Sequence, residues 1–452
     1  MSSDHNLSSN LRATLILGVP LVLAQLAQIA IGMTDTLMLG WLGTTELAAG
    51  TLAFQIFFIF LIIGIAFGAA MVPLIANALG RDDARSVRRA SRMGLWVLGA
   101  LALGFMVPLW FTKDMLLLLG QEEKLAQLAQ NYMRIAQWSM IPAFILIGLR
   151  SFLTSLEKAN AVLGITVFTS VLNGLLNYAF IFGNWGAPRL EIEGAAVATL
   201  TANTVAAIAA IILVRKTPAA QPYDLFVRFW RPDWGAVAQI LRLGVPISIS
   251  ILAEAGMFAA ASLMIGWLGE IPLAAHGIAL QWAGAAFMVP LGLAQAGSVR
   301  VGNAAGRQDL IGIGLAGRAV VLLALGFAVM SAALFLTLPE TLVRLFFEAD
   351  SKNVEAVLAH AVPMLYMAAA FQVFDALQVA SGSNLRGLQD TKIPMVIASL
   401  SYWIVGMGSA YIFAFWFDLG GAGVWGGLVV GLAVAAVLLT YRFANRQRLG
   451  LV

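Results

Sequence analysis

The chain of 452 residues contains no cysteine. Disulfides, thiol nucleophiles and Cys-ligated metal centres are therefore excluded. Charge is scarce as well: Asp, Glu, Lys and Arg make up 11% of the chain, against about a quarter in a soluble domain. Only three histidines are present, and none forms a metal-hydrolase pair. No Gly-Lys dipeptide occurs, so there is no P-loop and no built-in ATPase. A nucleophile elbow and a strand-borne glycine motif for nucleotides are missing too. These absences argue against an enzyme. Work done by such a chain has to draw on an ion gradient or on downhill flow. The first fifteen residues, MSSDHNLSSNLRATL, carry no cleavable signal pattern, and the first apolar span is expected to act as the insertion signal.

Apolar residues take the place of the missing charge, at 60% of the chain. The apolar runs are continuous rather than alternating, which favours membrane helices over a β-barrel. The pattern predicts an all-α polytopic membrane protein with twelve spans, at 13–36, 46–75, 92–112, 133–153, 160–183, 194–214, 238–266, 272–299, 314–338, 360–384, 394–417 and 421–441. With the N-terminus placed inside, 21 of the 27 Lys and Arg residues fall on or next to the cytoplasmic side. This bias follows the positive-inside rule and predicts that both termini are cytoplasmic. The net charge of +4 is then a topology signal, and nucleic acid is not an expected partner.

The chain repeats itself. LGVP at 17–20 recurs at 243–246, LMLGWLG at 37–43 recurs as LMIGWLG at 263–269, and NALGRDD at 77–83 recurs as NAAGRQD at 303–309. All three pairs share one offset of 226. GAAV at 194–197 is answered more weakly by GAGV at 421–424. The basic loop lies on the same side in both copies, so the repeats are parallel and each holds an even number of spans. Two six-helix bundles are expected, 1–216 and 238–452, joined by a linker at 217–237. The linker has three prolines and mixed charge, and Phe226, Phe229, Trp230 and Trp234 would hold it at the membrane interface.

Three acids fall inside spans: Asp35, Glu254 and Asp375. An acid at mid-helix costs about 2.5–3.5 kcal/mol on insertion scales, so something must compensate for it or use it. No basic residue is expected at mid-depth, which leaves a simple internal salt bridge without a donor. In the first span Gln25, Gln28, Gly32 and Asp35 share a face. Asn173 and Asn177 share one in the fifth span, and Thr199 and Asn203 share one in the sixth. Together these would line a polar pocket in the first bundle, although ordinary interhelical hydrogen bonding explains Thr199 and Asn203 equally well. In the second bundle Ser250 stacks on Glu254, while Gln372, Asp375 and Gln378 run along the tenth span. Facing each other, Glu254 and Asp375 would bind a proton or a monovalent cation. Pro20 and Pro246 occupy matched positions, where a hinge and a static kink are equally compatible readings. Met33, Met257 and Met288, with Gln28 and Gln281, are candidates for lining a substrate cavity, with ordinary packing as the alternative for the methionines. His276 has no assigned role.

LGVP followed by MTDTLMLGWLG, and above all SNLRGLQDTKIPM at 383–395, resemble the multidrug and toxic compound extrusion (MATE) transporters. The three acids are similar to those of the bacterial NorM branch. The resemblance implies a V-shaped pair of six-helix bundles in the bacterial inner membrane. It implies a monomeric secondary transporter without cofactors that exports amphipathic, cationic or aromatic compounds, antibiotics included, against entry of Na⁺ or H⁺. By position it places Asp35, Asn173, Asn177 and Thr199 at a cation site of the first bundle, and Glu254 and Asp375 at one of the second. Some relatives have a Tyr one turn before the second-bundle Asp, where this chain has Phe371. A second acid found in some proton-driven relatives falls at Asn177, which favours sodium. A lipid-linked oligosaccharide flippase of the same superfamily is the alternative, but it would call for a basic groove. A membrane prenyltransferase would need Asp-rich motifs, and Asp82–Asp83 sits among five arginines.

Overall fold

The computed structural model describes residues 6–347 and 354–452. Among the described residues twelve helices are long and apolar enough to cross a bilayer: α1 (Leu7–Leu42), α2 (Thr44–Gly80), α3 (Ala84–Leu109), α4 (Glu123–Ser155), α5 (Ala159–Phe182), α6 (Glu191–Lys216), α7 (Trp234–Gly266), α8 (Glu270–Gly306), α9 (Leu310–Thr337), α10 (Val354–Gly387), α11 (Lys392–Trp416) and α12 (Gly420–Ala444). No strand occurs among the described residues. Every expected span is present, and several helices outrun it. Hydropathy marks only the part that lipid surrounds, whereas the helix ends where a cap or a turn stops it. α7 starts at Trp234, so the end of the expected linker is already helical.

The repeat is visible in the backbone. α2 and α8 are both 37 residues long, and their ends are 226 residues apart. After each comes the same turn, with Asp82 and Gln308 both at φ 57°. Asp83 then caps α3 by accepting from the Ser86 amide at 3.0 Å, and Asp309 caps α9 by accepting from the Gly312 amide at 2.8 Å. An N-cap carboxylate satisfies one of the four free N–H groups of a helix start. The Ser86 contacts hold the Asp83 carboxyl below its ordinary value.

Packing divides the chain into two compact units: an N unit, Leu23–Ser248, and a C unit, Ile249–Val452 together with the chain up to Val22. This differs from the bundle boundaries expected from hydropathy. The start of α1 belongs to the C unit and the start of α7 to the N unit. The two division points, after Val22 and after Ser248, are themselves one repeat offset apart, each two residues past its proline. Hydropathy could not locate them, because it records how apolar a helix is and not which neighbour it packs on.

Within the C unit, Leu293 of α8 lies against Gly18, and a Cβ on Gly292 would fall 2.7 Å from the Val22 backbone. Arg300 donates to the Asn10 carbonyl and to its side-chain oxygen, both at 2.6 Å. Within the N unit, Gly244 of α7 lies against Phe67. The linker docks on α3: Arg89 forms a two-pronged ion pair with Asp233, with the Nη2 arm at 3.0 Å, and Trp96 donates to the Phe229 carbonyl at 2.9 Å. Trp230 and Trp234 remain exposed. The C-unit core is built from alanines packed around Phe335, Phe371, Tyr402 and Trp425. Small residues let membrane helices approach closely, which is the main source of packing energy where lipid is as apolar as the core. Gly423, Gly427 and Gly431 form a strip on α12 against the Phe413, Ala410 and Gly406 backbone of α11.

Candidate functional site

In the N unit, α1 brings Asp35 against α5. The spacing of Asn173 and Asn177 puts both side chains on one helix face, and both are buried. The Asn177 amide donates to Asp35 Oδ1 at 2.5 Å and to Asn173 Oδ1 at 3.2 Å. Gly174 faces Thr34 of α1 here, with room for a Cβ at an ordinary 3.6 Å. Asn177 Oδ1 is buried without a hydrogen-bond partner among the described residues. Tyr132 of α4, itself buried, turns its hydroxyl toward Thr199 of α6 and lies within electrostatic reach of Asp35. Three helices, α4, α5 and α6, thus contribute oxygen atoms to the cluster beside the carboxylate of α1. Tyr132 was not singled out from sequence, because it lies on the short, weakly apolar amphipathic segment that opens α4.

In the C unit, Glu254 of α7 and Asp375 of α10 lie within electrostatic reach of each other. Asp375 is 2% exposed and its Oδ1 has no hydrogen-bond partner among the described residues. Gln372 donates to the Ala283 carbonyl at 2.9 Å, and Gln378 donates to the Tyr402 hydroxyl at 2.7 Å. Phe371 packs edge-on against Phe258 and Trp425. An uncompensated carboxylate in so dry a place takes up a proton or a cation in preference to standing alone.

Two expectations change. A basic group does approach the acids, because Arg386 of α10 lies within electrostatic reach of Glu254 and Tyr402. Its long side chain lets a charge placed near a helix end serve a deeper position. Similarly, Arg150 of α4 donates to Gln28 Oε1 at 3.1 Å, so Gln28 is engaged by a guanidinium. Met257 is fully buried in the C-unit core, which removes it from any open cavity wall. Met33 is 58% exposed and Gln281 is exposed, while Met288 is half-buried. Pro20 and Pro246 both lie inside unbroken helices.

His276 acquires a place. It is buried on α8, and its Nδ1 accepts from the Trp425 indole at 3.1 Å. Its Nε2 is then the protonated nitrogen and meets Ser262 Oγ at 2.9 Å. This network backs the aromatic cluster beside Asp375.

Comparison with known proteins agrees with this architecture. The family model described as MatE matches residues 20–179 and 246–412, and both matches begin on the paired prolines. The chain is 48% identical over 446 residues to the "Probable multidrug resistance protein NorM" of Rhizobium meliloti (strain 1021), covering 99% of this chain and 96% of that one. It is 44% identical over 436 residues to the protein of the same name from Agrobacterium fabrum, covering 96% and 94%. A solved structure described as the outward-facing conformation of a multidrug resistance MATE family transporter of the MOP superfamily superposes with a TM-score of 0.88 at 21% identity, covering 97% of this chain and 96% of that one. A bacterial inner-membrane location follows from the twelve spans and these relatives. The chain belongs to the MatE family, and it is a multi-pass secondary transporter rather than an enzyme.

Proposed function

We propose that the protein is a cation-coupled multidrug efflux antiporter working by alternating access with both termini cytoplasmic. It exports amphipathic cationic or aromatic compounds in exchange for Na⁺ or H⁺. The observation that carries this reading is the presence, in each unit, of a carboxylate withdrawn from the surface among oxygen atoms that lack a full set of partners: half-buried Asp35 with Asn173, Asn177 and Thr199, and buried Asp375 with Glu254. Such a site is poorly satisfied when empty and gains by taking a monovalent cation or a proton. The names of the full-length relatives support drugs as the cargo.

Coupling needs a structural element that differs between the ion-bound and ion-free states. α1 and α7 supply one, since each carries an acid past its proline and each belongs in part to both units. Neutralising Asp35 or Glu254 changes what the second half of its helix can pack against. Pro20 and Pro246 lack the N–H that would stiffen the helix just before the crossover. Met33 in the N unit, and Gln281 with Met288 in the C unit, are proposed as drug-contacting residues of their own units.

The test is ethidium efflux from proteoliposomes under an imposed Na⁺ gradient or an imposed pH gradient. Glu254→Gln with Asp375→Asn, and Asp35→Asn, are each expected to abolish gradient-driven export. Unchanged export in both would overturn the proposal. The gradient that drives wild type identifies the ion.

A further inference from the structure

We infer that Tyr402 is an ion-binding residue of the C-unit site, brought to the two carboxylates by a π-helical turn of α11. The inference rests on the reading of Glu254 and Asp375 as a coupling site. It adds a helix and a functional group that no other observation assigns to that site.

Residues Ser401–Gly406 of α11 form a π-helical stretch. A π-turn fits an extra residue into the helix, so the side chains within it are re-aimed relative to an α-helix, and such turns concentrate at functional positions. The two residues after Ser401 point to the two acid-bearing helices. Tyr402 is 1% exposed, and its hydroxyl oxygen accepts from Gln378 of α10 at 2.7 Å. Gln378 lies three residues past Asp375 on the same helix face. Trp403 donates its indole N–H to the Ala253 carbonyl of α7 at 3.1 Å, one residue before Glu254. Its ring rests on Gly256, where a Cβ would come within 3.0 Å. On its other side the turn is seated against α12, with Gly406 facing the Gly431 Cα at 3.3 Å from where a Cβ would stand. One turn of α11 therefore grips α10 through a phenol and α7 through an indole.

The phenol is placed for chemistry as well as for packing. It lies within electrostatic reach of Glu254 and Asp375, and of Arg386, whose one positive charge faces two carboxylates. Its oxygen already accepts from Gln378, so its own proton is left to donate, and an adjacent carboxylate is the strongest acceptor nearby. Asp375 Oδ1 and Gln378 Oε1 are both buried and both lack a partner among the described residues. Two unpartnered oxygens and a phenol, in a pocket closed to water, form a neutral-plus-anionic oxygen set that a small monovalent cation satisfies. A bound cation would take a lone pair of the Tyr402 hydroxyl together with the carboxylate oxygens. Phe371, one turn before Asp375, cannot do this, because its ring is held between Phe258 and Trp425 and has no oxygen.

The experiment uses the purified full chain in proteoliposomes with ethidium as cargo. The driving cation is titrated, as Na⁺ at fixed pH or as H⁺ in sodium-free buffer. Tyr402→Phe removes one oxygen atom and is expected to raise the half-saturating cation concentration about tenfold. That is the equivalent of about 1.4 kcal/mol. Equilibrium ethidium binding in detergent should stay within twofold, a separation that general damage to the fold would not produce. Gln378→Met removes an oxygen of the same set as well as the donor to the phenol, and is expected to shift half-saturation at least as far. Wild-type half-saturation in both variants, with Glu254→Gln inactive, overturns the role of Tyr402 and leaves the coupling site standing. Full activity of Glu254→Gln with Asp375→Asn overturns the site itself. A parallel loss of ethidium binding and cation response in both variants also overturns the inference, since it marks Tyr402 as a packing residue.

Discussion

The side-chain amide of Asn177 donates to the carboxylate of Asp35 and so ties α5 to the middle of α1. A buried carboxylate with one good donor is tolerated, and one with none is not. Asn177→Leu should lower ethidium efflux at least tenfold, as should Asp35→Asn. Because the two groups act as a unit, the double variant should be no worse than the poorer single one. Initial efflux rates at matched expression measure this, and additive losses would separate the two residues.

His276 accepts from Trp425 and pairs with Ser262 in the C-unit core. Phe in its place would leave the Trp425 indole N–H without its acceptor, while the Ser262 hydroxyl keeps its bond to the Phe258 carbonyl at 3.0 Å. The orphaned donor costs roughly 1–3 kcal/mol. His276→Phe should therefore lower the Tm of the detergent-solubilised protein by several degrees. His276→Gln keeps an acceptor and should lose less.

The α12 glycine strip sets how closely α11 can approach. A Cβ at Gly427 would collide with the Ala410 backbone, which cannot step aside without moving the whole helix. Gly427→Ala should cost more stability than Gly426→Ala, whose Cβ would meet the Phe413 side chain at an ordinary 3.5 Å. Thermal unfolding of the two variants, read side by side, checks the order.

The Arg89 hydrogen bond, together with the Ala236 amide and the charge of Arg92, holds the Asp233 carboxyl below its ordinary value. A lowered pKa means that the stabilisation is complete above the ordinary carboxylate range and is lost as pH falls through the lowered value. Linker docking should thus be flat from pH 7 to pH 5 and loosen only at strongly acid pH. Both partners are partly exposed, so solvent screening limits the pair to about 1 kcal/mol or less. Hydrogen exchange of residues 224–233 as a function of pH reads this out. Asp233→Asn should show the loosened state at every pH.

Pro20 and Pro246 each precede, by two residues, the point where a helix passes from one unit to the other. Ala at either position restores a backbone donor and stiffens the helix. Each variant should slow maximal efflux several-fold while half-saturation by the driving cation stays near wild type. A shift in half-saturation instead would place the prolines in the ion sites.

Composition alone fixed the class of this protein, because 11% charge and continuous apolar runs leave no other solvent than lipid for most of the chain. The offset of 226 likewise announced two parallel repeats, and the fold reproduces it down to the turn at Asp82 and Gln308. The three intramembrane acids stood out by the cost of placing them there. What remained for the tertiary structure were questions of neighbours. Asp35 lies 142 positions from Asn177, and nothing local in the sequence joins them. Tyr402, Tyr132, Arg386 and His276 look ordinary along the chain and matter only through what they face. Met257 reads like Met33 in sequence, yet packing buries one and exposes the other. The membership of α1 and α7 in two units is of the same kind. Hydropathy says that a helix wants lipid or core around it, and only the packed fold says which helices those are.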